Sequence, residues 1–314
     1  MDATADLPLI AVLATGGTIA SSRDADGADS PSHSGEDLLA GLDPMPLRLR
    51  VRELMAKDSS SLTLADMQAI SDAVGAELAD PAVAGVVVLH GTDAMEETAL
   101  LVQLQHAPAR PVVFTGAQFA ADHPQPDGPA NLVAALSAAA RPGEGPGVVL
   151  AFGGRELPAW GVYKFSSDAT DAFRHAGATS PLAQALPASV AGLRVDIVAV
   201  HPGGDGLHLD ASLAAGAAGI VIAALGSGNG SPELVAAIGR ARARGVPVVV
   251  SSRVPQGQLE PIYGGGGGGH DMRRAGAIHS RLLRPGQARI LLAVMLANAC
   301  PEPEIARAFE AEPG

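Results

Sequence analysis

Leu9-Ile10-Ala11-Val12-Leu13-Ala14 runs directly into Thr15-Gly16-Gly17-Thr18-Ile19-Ala20. A short aliphatic run closed by glycines reads as a central parallel strand buried on both faces. The glycine pair lets the chain turn sharply and lets a ligand approach the backbone. Thr18 then falls just past the carboxyl end of the first strand, where open α/β sheets bind their ligands. Its hydroxyl is a candidate nucleophile. The competing reading is a phosphate or dinucleotide loop, which a glycine pair alone does not exclude. The G-x-G-x-x-G spacing and the Gly-Lys-Ser/Thr run of such loops are both missing here.

Outward from this stretch the chain alternates strands and helices. Ser22 to Gly35, rich in Asp, Gly, Ser and Pro, reads as a mobile loop. Ser34 with Asp37, and Thr63 with Asp66, are capping-box patterns that open helices through Leu42 and to about Ala79. Leu47 to Leu54 alternates Leu and Arg as a half-exposed strand does. Ala84 to Leu89, Pro111 to Phe114 and Gly147 to Phe152 read as further strands. Glu96 and Glu97 fall in the first turn of a helix, where the dipole favours acids. Asp127 to Ala140 reads as another helix. This alternation predicts βαβ units and a parallel sheet with right-handed crossovers.

An Ala/Pro-rich stretch over Pro181 to Gly192 reads as a linker, dividing the chain into 1–185, a linker 186–194, and 195–314. The second α/β unit has strands at Val195 to Val200, Gly219 to Ala223 and Val246 to Ser251. Its helices cover Pro232 to Arg244 and Pro285 to Ala299. The six glycines Gly264 to Gly269 read as a mobile loop.

At 314 residues the chain is long enough for two domains with sizeable cores. Apolar residues at 47% against 17% charged exclude a disordered chain. The net charge of -12 argues against a nucleic-acid partner, which needs clustered Lys and Arg. A single cysteine, Cys300, excludes an intrachain disulfide and fits a reducing compartment. Met1 to Pro8 carries Asp2 and Asp6 and no basic region, so no secretory signal is expected. No run approaches the ~18 apolar residues of a membrane span. No histidine spacing resembles H-E-x-x-H, so no metal is expected.

Three strand ends in the first half carry hydroxyl or acid groups: Thr18, Thr92-Asp93 and Thr115-Gly116-Ala117. Parallel strands bring their carboxyl ends to one edge, so these residues can converge, and Asp58-Ser59 can join them. A threonine hydroxyl is a poor nucleophile until a base takes its proton. His90 precedes Thr92, but a lone histidine at a strand end is more often structural. The other base is Lys164, one of only two lysines with Lys57. An unprotonated Lys164 beside Thr92 and Asp93 would accept a proton. Standing alone, it would read as a surface lysine or a simple ion pair.

Ala14-Thr15-Gly16-Gly17-Thr18-Ile19-Ala20 together with His90-Gly91-Thr92-Asp93-Ala94-Met95-Glu96-Glu97-Thr98 resembles the two signature motifs of the bacterial L-asparaginase family. Asp58-Ser59-Ser60, Thr115-Gly116-Ala117-Gln118, and Gly153-Gly154-Arg155 with Lys164 and Asp171-Ala172-Phe173 are similar to further family segments. So are Gly226-Ser227-Gly228-Asn229-Gly230 and Ser251-Ser252-Arg253-Val254. The resemblance covers nearly the whole chain. It implies a larger N-terminal parallel-sheet domain of flavodoxin- or Rossmann-like form and a smaller C-terminal α/β domain. It implies conversion of L-asparagine to L-aspartate and ammonia, without metal or cofactor, in a cytoplasmic homodimer or homotetramer. By the same resemblance Thr18 attacks the amide, Thr92, Asp93 and Lys164 handle protons, Asp58, Ser59 and Asp93 hold the α-carboxylate and α-amine, and backbone at Thr92 and Ala117 contacts the amide. A glutaminase-asparaginase and a non-catalytic amino-acid sensor on the same fold are the alternatives. An amidotransferase component acting on aminoacyl-tRNA would need an additional N-terminal module and a basic surface.

Two departures stand out. Most members of that family carry a tyrosine on the loop after the first motif, whereas this chain has only Tyr163 and Tyr263. The matching position falls near Asp29-Ser30, so a serine, an ordered water or His33 takes its place, or turnover is slow. Many members also borrow an acid from a neighbouring subunit. Here that region is Gly264 to Gly269, with His270 and Asp271 the nearest polar residues.

Overall fold

The computed structural model describes residues 7–23, 29–31, 33–141, 147–177, 179–182 and 184–311. The expectation about a secretory signal therefore falls largely outside the described residues. The chain forms two compact units, Met1–His175 and Ala176–Gly314. No helix among the described residues is long and apolar enough to cross a membrane.

The first unit runs β1 (Leu9–Ala14), β2 (Ser21–Arg23), β3 (Asp29–Pro31), α1 (Gly35–Ala40), β4 (Arg48–Glu53), α2 (Leu64–Ala79), β5 (Val83–Leu89), α3 (Met95–His106), β6 (Val112–Thr115), α4 (Gly128–Ala139), β7 (Val148–Phe152), β8 (Arg155–Pro158), β9 (Val162–Lys164) and β10 (Phe173–His175). Its main sheet has the order β4-β1-β5-β6-β7-β8. The first five strands are parallel and β8 is antiparallel to β7. This is a doubly wound sheet whose order reverses between β1 and β5. Such a reversal opens a crevice at the carboxyl ends of the two flanking strands.

Period-two side-chain alternation explains why β1 is apolar throughout. Ala11 and Leu13 pack with Ile70, Val74, Met95 and Val102 of α2 and α3 on one face. Ile10 and Val12 pack with Leu132 and Leu136 of α4 on the other. Both capping boxes form: Ser34 Oγ accepts from Asp37 N at 3.1 Å, and Thr63 Oγ1 from Asp66 N at 3.2 Å. Strand β4 is more exposed than its alternation suggests, because it lies at the sheet edge and pairs on one side only. Its Arg50 is held by Glu77 at 3.0 Å and Asp80 at 2.9 Å, and a charged edge discourages further strand pairing.

The loop expected over Ser22 to Gly35 contains an antiparallel pairing instead, with Ser21 opposite Pro31 and Arg23 opposite Asp29. Two three-residue strands are too short for an alternation signal, so turn-rich composition masked them. The tip of that segment lies outside the described residues, and so do the side chains of Asp29 and Ser30.

The second unit runs β11 (Val195–Ala199), α5 (Leu207–Ala214), β12 (Gly219–Ala224), α6 (Pro232–Ala243), β13 (Val248–Ser252), α7 (Gly269–Arg274), β14 (Ile278–His279), α8 (Pro285–Ala297) and α9 (Glu302–Glu310). Its parallel sheet has the order β11-β12-β13-β14. The chain is thus two α/β units, with the larger sheet first. The glycine run is a loop only to Gly268, and Gly269 opens α7. Asp271 Oδ2 accepts from Gly266 N at 2.8 Å and Gly268 N at 3.1 Å, so its carboxylate gathers the glycines into a turn.

Candidate active site

Hydrogen bonds continue past the ends of the strands and lock their loops together. Thr15 donates to Leu89 O through both its N (3.1 Å) and its Oγ1 (2.8 Å), and Lys57 N donates to Thr15 O at 3.2 Å. His90 N donates to Thr115 O at 2.8 Å, and Thr115 Oγ1 donates to Ala151 O at 2.8 Å. The hydroxyls of Thr15 and Thr115 are thereby committed to structure. That of Thr18 enters none of these bonds.

Glycine is required where these loops meet. Gly17 has φ 88° and ψ 177°, a conformation essentially confined to glycine. A Cβ built on it would lie 2.5 Å from the N and Cα of Gly91, and one built on Gly91 would lie 2.6 Å from Ser59 Oγ. The loops after β1, β4 and β5 therefore touch at the switch point, the first and last of them backbone to backbone. Thr18 follows Gly17 at the start of a short 3-10 turn and is half-buried, while Thr92 follows Gly91 and is buried. Ser59, buried beside them, accepts from Asp93 N at 3.1 Å. Asp58, next to Ser59, is exposed.

Lys164 ends β9 and reaches the same corner. Its Nζ donates to Thr92 Oγ1 at 2.8 Å and Asp93 Oδ1 at 2.7 Å. The Lys164 side chain is 20% exposed and that of Asp93 60%, so the ammonium is drawn inward while the carboxylate faces solvent. The hairpin carrying it is pinned by Phe173, which packs edge-on against Phe152 of β7 at 5.2 Å.

His90 has a different environment. Its ring is buried, lies 5.9 Å from Phe114, and places Nδ1 2.7 Å from Gly91 O. Burial lowers it from 6.5 to about 4, so it stays neutral at pH 7, and its Nδ1 contact braces the Gly91 loop.

Two residues of the α4 region hold the third strand end and were not singled out from sequence. The Asp127 carboxylate accepts from Gln118 N and Phe119 N, each at 2.9 Å. Asn131 Nδ2 donates to Gly116 O at 3.0 Å and to Asp127 Oδ2 at 3.1 Å, and its Oδ1 accepts from Gly153 N at 3.0 Å. Because a peptide unit is planar, holding the Gly116 carbonyl also fixes the direction of the Ala117 N–H. The available signal was an acid and an amide four residues apart, which share one helix face. Behind Ala117, a cavity of about 60 Å³ is lined by Ile19, Leu38, Phe119 and Leu132 among others. Its lining carries no charged side chain that could hold an amino acid.

The structure thus brings Ser59, Thr92, Asp93 and Lys164 into one connected cluster and sets Thr18 one residue from their shared backbone junction. Ala117 is held at the adjoining strand end. Among the described residues no group of three or more His, Cys, Asp or Glu is arranged to hold a metal ion.

Residues 9–193 match the family model described as asparaginase, N-terminal, and residues 194–309 match the glutaminase/asparaginase C-terminal domain. The probable L-asparaginase of Deinococcus radiodurans is 35% identical, the match covering 97% of this chain and 98% of that protein. L-asparaginase 2 of Bacillus subtilis is 30% identical, over 93% of this chain and 83% of its own length. The crystal structure of a probable cytoplasmic L-asparaginase from Campylobacter jejuni superposes with a TM-score of 0.84 at 26% identity, over 96% of this chain and 99% of that one.

Proposed function

Because this chain belongs to the glutaminase/asparaginase family of amide hydrolases, we propose that it converts L-asparagine to L-aspartate and ammonia through an ester on Thr18. The observation that carries this reading is the Lys164 Nζ, bonded at once to Thr92 Oγ1 and Asp93 Oδ1, beside the glycine junction that bears Thr18.

In the first half-reaction Thr18 Oγ attacks the side-chain amide carbon, its proton passes to the Thr92–Lys164–Asp93 group, and the amide nitrogen leaves as ammonia after receiving a proton. In the second, water attacks the ester and the same group takes the proton released, regenerating Thr18. Ser59 and Asp58 engage the substrate's α-carboxylate and α-ammonium, with Asp93 as second acid for the ammonium. Backbone N–H groups near Thr92 and Ala117 stabilise the oxyanion. Losing one such donor typically costs ~3 kcal/mol. No step requires a metal or cofactor. We extend the reading to a homodimer or homotetramer working in the cytoplasm.

The breadth of the C-terminal family model favours a second reading, a glutaminase-asparaginase. One methylene in a pocket is worth only ~1–3 kcal/mol, so kcat/KM measured in parallel on asparagine and glutamine separates the two. The deciding experiment for either is ammonia release by the wild type and by Thr18→Ala. We expect release by the wild type, and none above background from a variant that remains folded. Full activity in the variant refutes the mechanism. Asparagine binding without turnover by the wild type would identify a sensor instead.

A further inference from the structure

We propose that Glu96 is a positioning residue for Lys164: its carboxyl accepts the Lys164 backbone N–H and thereby sets where β9 delivers the ammonium to Thr92 and Asp93. The inference rests on the reading of Lys164 as a member of the proton-handling group.

Among the described residues strand β9 pairs only with β10, in a two-stranded ribbon. Lys164 lies opposite Phe173, and the adjacent Phe165 N donates to Ala172 O at 2.7 Å. In an antiparallel ladder hydrogen-bonded and non-bonded pairs alternate. Lys164 therefore occupies a non-bonded pair, and its N–H points out of the ribbon. An outward N–H at a partly buried position needs an acceptor, and Glu96 Oε2 supplies it. An isolated two-stranded ribbon is marginal, so contacts from outside decide where its end sits.

The acceptor comes from the segment that already holds the other end of the lysine. Thr92, Asp93 and Glu96 follow one another into the first turn of α3. Lys164 is thus gripped twice by residues 92–96, at Nζ by Thr92 and Asp93 and at its backbone N by Glu96. A flexible lysine tied at both ends to one rigid helix start cannot swing away without breaking a bond at one of them.

The ordinary role for an acid in a first turn is charge against the helix dipole. Glu97 is also in that turn. For Glu96 burial works against the charged form, pushing the carboxyl from 4.5 up to about 8, with Glu97 raising it further and the Lys164 N–H and ammonium opposing. The charged groups acting on it are Glu97 on α3 and Lys164 on β9. At neutral pH Glu96 is mostly a protonated acid, poor as a dipole partner yet still a carbonyl acceptor.

The two lysines of the chain make the test clean. Lys57 and Lys164 are acetylated with a trace of acetic anhydride at pH 7, peptide masses give the ratio of their labelling, and Lys57 is the internal reference. Glu96→Gln keeps a carbonyl acceptor, and Glu96→Met keeps the length without one. We expect Glu96→Gln to stay within about twofold of wild type in the labelling ratio and in kcat. We expect Glu96→Met to raise Lys164 labelling at least ~3-fold and to lower kcat on the order of 10²-fold, as for a ~1 Å misplacement, with KM within about threefold. Wild-type labelling and kcat in Glu96→Met overturn the proposal, as does equal impairment in Glu96→Gln. Should Glu96→Met fail to fold, amide hydrogen exchange on the wild type decides: the Lys164 N–H is protected if Glu96 holds it, and exchange at loop rates overturns the assignment. Labelling and exchange need no turnover. A wild type that releases no ammonia would therefore sink the asparaginase reading while leaving this contact to stand or fall on its own result.

Discussion

Gly17→Ala tests the junction on which the whole site depends. The residue sits at φ 88° and ψ 177°, where a non-glycine residue costs about 1–3 kcal/mol. Its new Cβ would fall 2.5 Å from the N and Cα of Gly91, about 1 Å inside ordinary van der Waals contact. Overpacking of that order costs about 1–3 kcal/mol more. The two add to a loss of about 2–6 kcal/mol, relieved as the β1 and β5 loops move apart by a distance on the order of the overlap. A shift of ~1 Å between reacting groups costs ~10²-fold in rate, so kcat/KM for ammonia release should fall by about two decades. Gly245→Ala is the control. Gly245 has φ +74° and open space around a built Cβ, so it costs only the backbone part, ~1–2 kcal/mol, with turnover unchanged. Urea midpoints followed by circular dichroism measure stability, and a coupled ammonia assay measures rate. Wild-type turnover in a folded Gly17→Ala would refute the claim that touching backbones set the position of Thr18.

Asn131→Asp replaces a donor by a second carboxylate 3.1 Å from Asp127 Oδ2 and strips Gly116 O of its partner. It should cost ~1–3 kcal/mol and lower kcat on asparagine; an unchanged melting point and kcat would remove Asn131 from the support of Ala117. Burial holds His90 and His279 at about 4, below the ordinary 6.5, so the native state binds fewer protons than the unfolded one between those limits. Stability is then fully present above about pH 6.5 and declines toward pH 4, by up to about 3 kcal/mol for each histidine. Glu96, raised to about 8, acts in the opposite sense and erodes stability as pH climbs from about 4.5 to 8. Urea midpoints at pH 5, 6.5 and 8 should peak at the middle value, and a flat profile contradicts these burials.

Much of the fold was readable because its signals are local. The aliphatic run Leu9–Ala14, the capping boxes at Ser34 and Thr63, and Pro285 at the head of α8 each report a backbone preference within a few residues. The short pairings were not readable. Strands of two or three residues such as β2, β9 and β14 exist only because a partner lies beside them, and nothing inside them announces it. Asp127 illustrates a second kind of concealment. It falls at the helix N-cap position, yet no side-chain cap bond forms, and its carboxylate instead holds the Gln118–Phe119 backbone. Glu96 misleads in the same way, since a first-turn position looks like dipole chemistry until burial is known.

By itself the sequence determined two α/β units and the identity of the hydroxyl- and acid-bearing strand ends at Thr18, Ser59, Thr92 and Asp93. Hydrophobic period and glycine placement act over a handful of neighbouring residues, and that range suffices for them. Lys164 was a candidate base from sequence, but only the tertiary structure decided that it reaches that corner, 72 positions beyond Thr92, that Glu96 accepts its backbone N–H, and that Asn131 holds the Gly116 carbonyl. Such contacts depend on sheet order, ribbon orientation and which amide is left facing outward. Those are properties of the assembled chain, because each arises from a choice of partner that no single segment contains.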